Sequence, residues 1–305
     1  MKRLIVLTVV MTMAAGIASA SMTLVGDPNA RVTTANGRQV FTFTQTGTIS
    51  VKGSGNIELL MVGGGGAGGG NNYQPGGGGG GGAVYYSAAF PVTEGEYVVT
   101  VGTGGVGCIL KTATDGYVGR IGNPGSATSA FGVTVAGGGG GFGGNISNGG
   151  RDDLAKGGCG GGATHQNDSS GAIKGGVSVY ADETDERFHG FAGGSSTAYT
   201  VPAGGGGAGG VGGSDGVGGL GFMCAITGRD VYYGAGGAGG AYTGDPSCPE
   251  SAGRGQNGLS GTGAGGGGGY VTTLEGTFGP GTVGGDGVVI VRYRRKPSGM
   301  VLIFR

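Results

Sequence analysis

The sequence has no tryptophan, only 7% aromatic residues and only 12% charged residues. A conventional enzyme domain builds its core from large apolar side chains and its site from charged ones, so this composition sets an ordinary catalytic domain aside as the first expectation. Proline is scarce as well, at 9 residues, and collagen needs abundant proline with glycine at every third position. Pure glycine stretches such as 76–82 exclude collagen again. Lys plus Arg equals Asp plus Glu, 18 against 18, so no global basic field exists to attract nucleic acid. What the chain has instead is glycine, 86 of its 305 residues, against an ordinary level of about 7%. Low-complexity disorder is the default reading of such a composition.

Long apolar runs are absent after the first residues. Lys2 and Arg3 precede the run LIVLTVVMTM at 4–13, and Ala18-Ser19-Ala20 follows as a small-residue site. That order reads as a secretory signal peptide over residues 1–20, cleaved after Ala20. The stretch from Leu4 to Ala20 falls short of the ~20 residues of a spanning helix. The expectation is a mature chain 21–305 that is secreted or held at the cell surface, with no membrane span after cleavage. Cysteine is rare, and the four residues are Cys108, Cys159, Cys224 and Cys248. In an exported chain an even count points to disulfides with three connectivities, and Cys224–Cys248 is the pair of short separation. Four unpaired thiols are the alternative. No C-x-x-C pair supports zinc, so no metal and no cofactor is expected.

Ordering glycine costs roughly 0.5–1 kcal/mol more per residue than ordering alanine. Glycine has no side chain to bury, so backbone hydrogen bonds must offset that cost, at about 0.5–1.5 kcal/mol each. The extended left-handed helix with three residues per turn points every N–H and C=O outward. Packed side by side, such helices bond to each other, and a Cβ would hold buried ones apart. Rim helices would carry one side chain per turn. The sequence contains that period: Ala208, Val211, Ser214, Val217 and Leu220 are three apart, and so are Ala235, Ala238 and Ala241. Lys156 and Cys159 flank one glycine pair, and Phe142 and Asn145 another. The pure runs 63–66, 76–82, 137–141, 204–207 and 265–269 would be interior helices.

Between the glycines lie strand signals. Phe41 and Phe43 alternate with Val40, Thr42 and Thr44. Ile49 and Val51 alternate with Thr48, Ser50 and Lys52. Ile57, Leu59 and Met61 alternate directly before Gly63, and Val288-Val289-Ile290-Val291 is a short continuous apolar run. No window shows a helix period. The expected fold is mainly β with polyglycine II helices: one domain over 21–305, strand-rich at 38–62, 83–101 and 286–304, in which a small sheet formed by both chain ends carries a packed glycine bundle.

The order of features is a strand pair, then Leu60-Met61-Val62 into glycine, then Tyr97–Gly102, several glycine blocks, and Gly284-Gly285-Asp286-Gly287 into the apolar run ending at Arg292-Tyr293. Over roughly 40–293 it resembles the glycine-rich domain of bacterial surface proteins and phage tail-tip adhesins, with a similar module in the ectodomain of anaplastic lymphoma kinase receptors. The resemblance implies a polyglycine II bundle whose connecting loops carry recognition. It implies no particular ligand. Residues 294–305 extend past the usual end, with apolar 300–304.

Glycine runs match the dinucleotide fingerprint many times, but no helix follows to hold phosphate. The P-loop Gly-Lys-Ser/Thr is missing. His165 and His189 lie in polar loops without a nucleophile signature, and the acidic run Asp182, Glu183, Asp185, Glu186 lacks calcium-loop offsets. The chain is therefore expected to be non-enzymatic. Aromatic and arginine side chains, the types enriched at binding hot spots, gather in the loops: Tyr117 with Arg120, Phe188 with His189, and Arg229 with Tyr232 and Tyr233. Their alternative role is packing over the bundle rim. The leading function is an extracellular structural or adhesive protein whose ligand is a glycan or a surface protein. An ice-binding or other protective protein is the alternative, and a secreted hydrolase a third.

Overall fold

The computed structural model describes residues 22–70, 75–112, 118–143, 152–164, 173–196, 201–240, 252, 256–269 and 280–294. The expected signal peptide, Tyr117, Asn145, His165, Ala241, Cys248 and residues 300–304 lie outside them.

The described chain is mainly β, with almost no helix. Strands β1 (Thr23–Gly26), β2 (Ala30–Ala35), β3 (Arg38–Phe43), β4 (Gly47–Lys52), β5 (Gly55–Val62), β6 (Val84–Val92) and β7 (Gly95–Val99) come first. Two short antiparallel pairs follow, β8 (Cys108–Thr112) with β9 (Val118–Gly122) and β10 (Thr128–Ala130) with β11 (Val133–Val135). One helical turn, α1 (Asp152–Ala155), precedes β12 (Phe188–His189), β13 (Phe222–Cys224), β14 (Val231–Tyr233) and β15 (Val288–Tyr293). The main sheet has six strands in the order β12-β6-β5-β15-β3-β2, and a second sheet has three in the order β1-β4-β7. Strand β15 is antiparallel to both neighbours, with Val291 opposite Phe41 on one side and Leu59 on the other.

Strand alternation gives the main sheet two apolar faces. Phe41, Phe43, Leu59, Met61, Tyr85, Val289 and Val291 point to one, where Leu24, Ile49, Val51 and Val99 of the three-stranded sheet meet them. Val40, Leu60, Val62, Val84, Val288 and Ile290 point to the other, and all six are buried there. Burial of both faces explains why β15 reads as a continuous apolar run rather than an alternating one.

The glycine runs leave the strands and bond to each other. In residues 63–69 the amides go out in three directions with a period of three. Gly63, Gly66 and Gly69 donate to Ala83, Gly80 and Gly77; Gly64 and Ala67 donate to Ser126 and Asn123; Gly65 and Gly68 donate to Gly285 and Thr282, with N···O distances of 2.8–3.0 Å. The next run does the same. Gly76, Gly79 and Gly82 donate to Gly269, Gly266 and Gly263; Gly77, Gly80 and Ala83 donate to Phe142, Gly139 and Ala136; Gly78 and Gly81 donate to Ala203 and Gly206. Both runs are buried. Close approach is what demands glycine here: a Cβ on Gly79 would lie 2.2 Å from the Gly66 carbonyl oxygen, and one on Gly78 would lie 1.9 Å from that of Gly237.

The positions with outward phase divide. Val211 (64% exposed), Ser214 and Leu220 do face solvent, while Ala208 is buried. Ala235 and Ala238, expected on an open rim, are fully buried. Ala235 packs on Ala264 with Tyr232 over the pair, and the Ala238 amide donates to the Ala252 carbonyl, so Ala252 and Ala264 cover that face. Lys156 is exposed, but Cys159 faces the second sheet face and is buried. The period marks where a Cβ fits, and a fitting Cβ serves equally well against solvent or against another layer.

Candidate functional site

The β13–β14 hairpin lies across the second face of the main sheet, inserting Cys224, Ile226 and Tyr233 among Val40, Leu60 and Ile290. Its turn closes with the Gly228 amide donating to the Ala225 carbonyl at 3.0 Å, and Gly228 has φ +92°, a region that favours glycine. A buried ionic group pins the hairpin. Glu58 lies opposite Arg292 in the β5–β15 ladder. The Arg292 guanidinium grips its carboxylate as a fork, Nε to Oε2 at 2.7 Å and Nη2 to Oε1 at 2.9 Å, and Nη1 donates to the Ala225 carbonyl at 3.3 Å. Arg38 adds a second guanidinium at 3.5 Å, and the Tyr86 hydroxyl donates to Oε1 at 3.0 Å. Burial, and then the Glu58 carboxylate, pushes the Tyr86 phenol up to about 12, so this hydroxyl stays a donor. The group is fully occupied with itself and orders the sheet and the hairpin.

Beside it the hairpin leaves an open groove of about 720 Å³. Val288 and Ile290 of β15 line it, with Arg31 and Thr33 on the β2 side and Thr42 on β3. The hairpin contributes Thr227, Arg229, Asp230 and Val231, and the turn 259–262 forms the remaining wall. Asp286 fixes that wall. Its carbonyl accepts the amides of Gly261 and Gly263 at 2.9 Å, and its carboxylate accepts from Ser260 Oγ at 3.0 Å and from the Gly104 amide at 2.9 Å. The Thr227 Oγ1 is buried and has no hydrogen-bond partner among the described residues. Volumes of about 300–1,000 Å³ are those of small-ligand sites.

Of the expected loop residues, His189 meets the β13–β14 hairpin that carries Tyr232 and Tyr233. Phe222 of β13 stands opposite Tyr233 of β14, and its ring stacks on His189 with centroids 4.3 Å apart. Tyr86 tilts against the same Phe222 ring at 5.8 Å. Burial lowers the His189 pKa, which favours the neutral imidazole. Phe188 turns to the opposite face, stacked on Tyr180 at 5.0 Å and edge-on to Tyr85 at 4.9 Å. Phe188, His189 and Tyr180 also line a smaller cleft of about 270 Å³. Tyr233 is buried and Tyr232 is partly buried, so of the expected trio Arg229, Tyr232 and Tyr233 it is Arg229 that is exposed. Arg120 sits apart in β9, opposite Leu110, and Tyr117 lies outside the described residues. The groove's other walls were missed in the sequence. Thr42 reads there only as the polar phase of β3, with nothing to say that residues 259–262 stand across from it.

The acidic run is a local turn. Asp185 holds Arg187 through Nε and Nη2 at 2.6–3.1 Å, and Glu183 Oε1 accepts the amides of Thr184 and Asp185 at 2.9 and 3.0 Å. Arg187 keeps the Asp185 carboxyl below its ordinary value. The expected disulfide is not formed among the described residues, where Cys159 and Cys224 carry free thiols; Cys248 lies outside them. Cys159 is sealed against the bundle with Sγ 3.8 Å from the Gly82 carbonyl, and Cys108 Sγ reaches the Gly68 carbonyl at 3.5 Å. Among the described residues no group of three or more His, Cys, Asp or Glu side chains is placed to hold a metal ion, and no helix is long and apolar enough to cross a membrane.

No curated protein matches the sequence. The family model described as glycine-rich domain matches residues 42–294, from β3 through the glycine runs to the end of β15. The chain belongs to the glycine-rich domain family.

Proposed function

We propose that this protein is an extracellular, non-enzymatic scaffold, structural and adhesive, in which a bundle of polyglycine II helices supports a β-sheet end that carries recognition. The observation behind this reading is the period of three in the glycine hydrogen bonds, with three neighbours served in turn by 63–69 and by 76–83. Three residues per turn with no internal bond is the polyglycine II pattern, and a backbone knitted that way is a rigid platform. Binding surfaces are commonly set on rigid scaffolds, and here the hairpin and the groove occupy that place. The signal-like residues 1–20 supply the route outward. The mixed rim of Val211, Ser214 and Leu220 offers no uniform flat face, which disfavours ice binding. Fractionation of the producing cell with N-terminal sequencing tests the reading. The expected result is a chain beginning at Ser21 in the medium or on the surface. A cytosolic chain beginning at Met1 would overturn it.

A further inference from the structure

We propose that the groove between β2–β3, the β13–β14 turn and the 259–262 wall is a binding site for a carboxylate-bearing saccharide. The proposal rests on the adhesive reading and names the ligand class for it.

Three features of the groove select that chemistry. Hydroxyl-bearing residues ring it: Thr33, Thr42 and Thr44, with Ser260 on the opposite wall. A sugar ring presents alternating hydroxyl donors and acceptors, which hydroxyl side chains can meet from either role. Its lining is mixed rather than greasy, with apolar Val231, Leu259, Val288 and Ile290 between the polar groups, as the C–H face of a saccharide requires. The charge balance is one positive in excess, since Arg31 and Arg229 face a single carboxylate, Asp230. Arginine binds carboxylates as a planar fork. Asp286, whose carboxylate accepts from Ser260 Oγ and the Gly104 amide, stands behind the wall and does not line the groove.

Nucleic acid would call for a stripe of cations, and a lipid for an apolar cleft. An extended peptide would add to β2, the edge strand of the sheet among the described residues, rather than lie over the sheet face.

The test uses the mature chain on an array carrying uronic- and sialic-acid oligosaccharides beside their neutral counterparts and a set of acidic peptides. Binding confined to the carboxylated saccharides, weakening as salt is raised, is expected. R31A and R229A should each weaken it about tenfold or more. No carboxylated saccharide bound, equal binding of neutral ones, capture of acidic peptides instead, or unchanged affinity in the arginine variants would each overturn the proposal. A blank array from a chain that begins at Ser21 outside the cell overturns the groove alone, whereas a cytosolic chain overturns the reading beneath it.

Discussion

Replacing Gly79 by alanine adds a single methyl group at the centre of the bundle. The new Cβ would lie 2.2 Å from the Gly66 carbonyl oxygen and 2.8 Å from the Ala67 backbone. Real Cβ contacts need well over 3 Å, so run 76–83 must move away from run 63–69. The bonds at risk are Gly66 to Gly80, Gly63 to Ala83 and Gly69 to Gly77. Each one broken leaves buried polar groups at about 1–3 kcal/mol. With two lost, the cost is about 2–6 kcal/mol, a large part of the 5–15 kcal/mol that usually holds a domain together. For a chain of this size that corresponds to a drop of roughly 5–20 °C in Tm. Gly210→Ala is the control. A Cβ there meets nothing nearer than the Leu220 amide nitrogen at 3.9 Å, so the change should be neutral or stabilise by about 0.4–1 kcal/mol through the unfolded chain. Thermal melts of both variants beside the parent decide the matter. If Gly79→Ala melts no lower than the parent, the runs are not packed backbone to backbone.

Two further outcomes follow from side chains. Glu58→Ala removes the carboxylate that Arg292 and Arg38 share and strands a guanidinium only 15% exposed, so it should cost about 3–5 kcal/mol, read from denaturant unfolding; a loss below ~1 kcal/mol would show that the ionic group does not order the sheet. Burial pushes the Cys159 thiol up to about 12, so at pH 8 a thiol reagent should leave Cys159 unmodified in the folded protein and modify it fully in denaturant, as peptide mapping would report; rapid labelling of Cys159 in the native state would refute its place in the core.

Much of the β-content was legible residue by residue. Phe41 and Phe43, Ile49 and Val51, and Ile57, Leu59 and Met61 each alternate with polar neighbours, and alternation is a local signal set by the two faces of a strand. The second buried face was not legible. Val40, Leu60 and Ile290 announce only that something covers them, and the cover comes from a hairpin more than 150 residues beyond Val40. The same gap explains Ala235 and Ala238. Their spacing reports room for a methyl group, and the segment that fills that side is chosen by tertiary packing. Of the candidate site, Arg229 was identified by type, but Arg31, Thr33 and Thr227 were not, because a groove between distant segments leaves no spacing in the sequence.

Strand β15 lies between β3 and β5, and Gly65 donates to Gly285. The ribosome therefore delivers the middle of the sheet last. Until residues 282–293 emerge, Phe41 and Leu59 have no strand to share, and run 63–69 lacks one of its three neighbours. Pairings this distant are slow to close, and the main sheet cannot finish ahead of them. A nascent chain of this kind cannot close its main sheet until its synthesis is nearly complete. Completion of the last strand then acts as the latch, so a chain cut short before Val288 should be cleared by proteolysis rather than accumulate as a half-built fold.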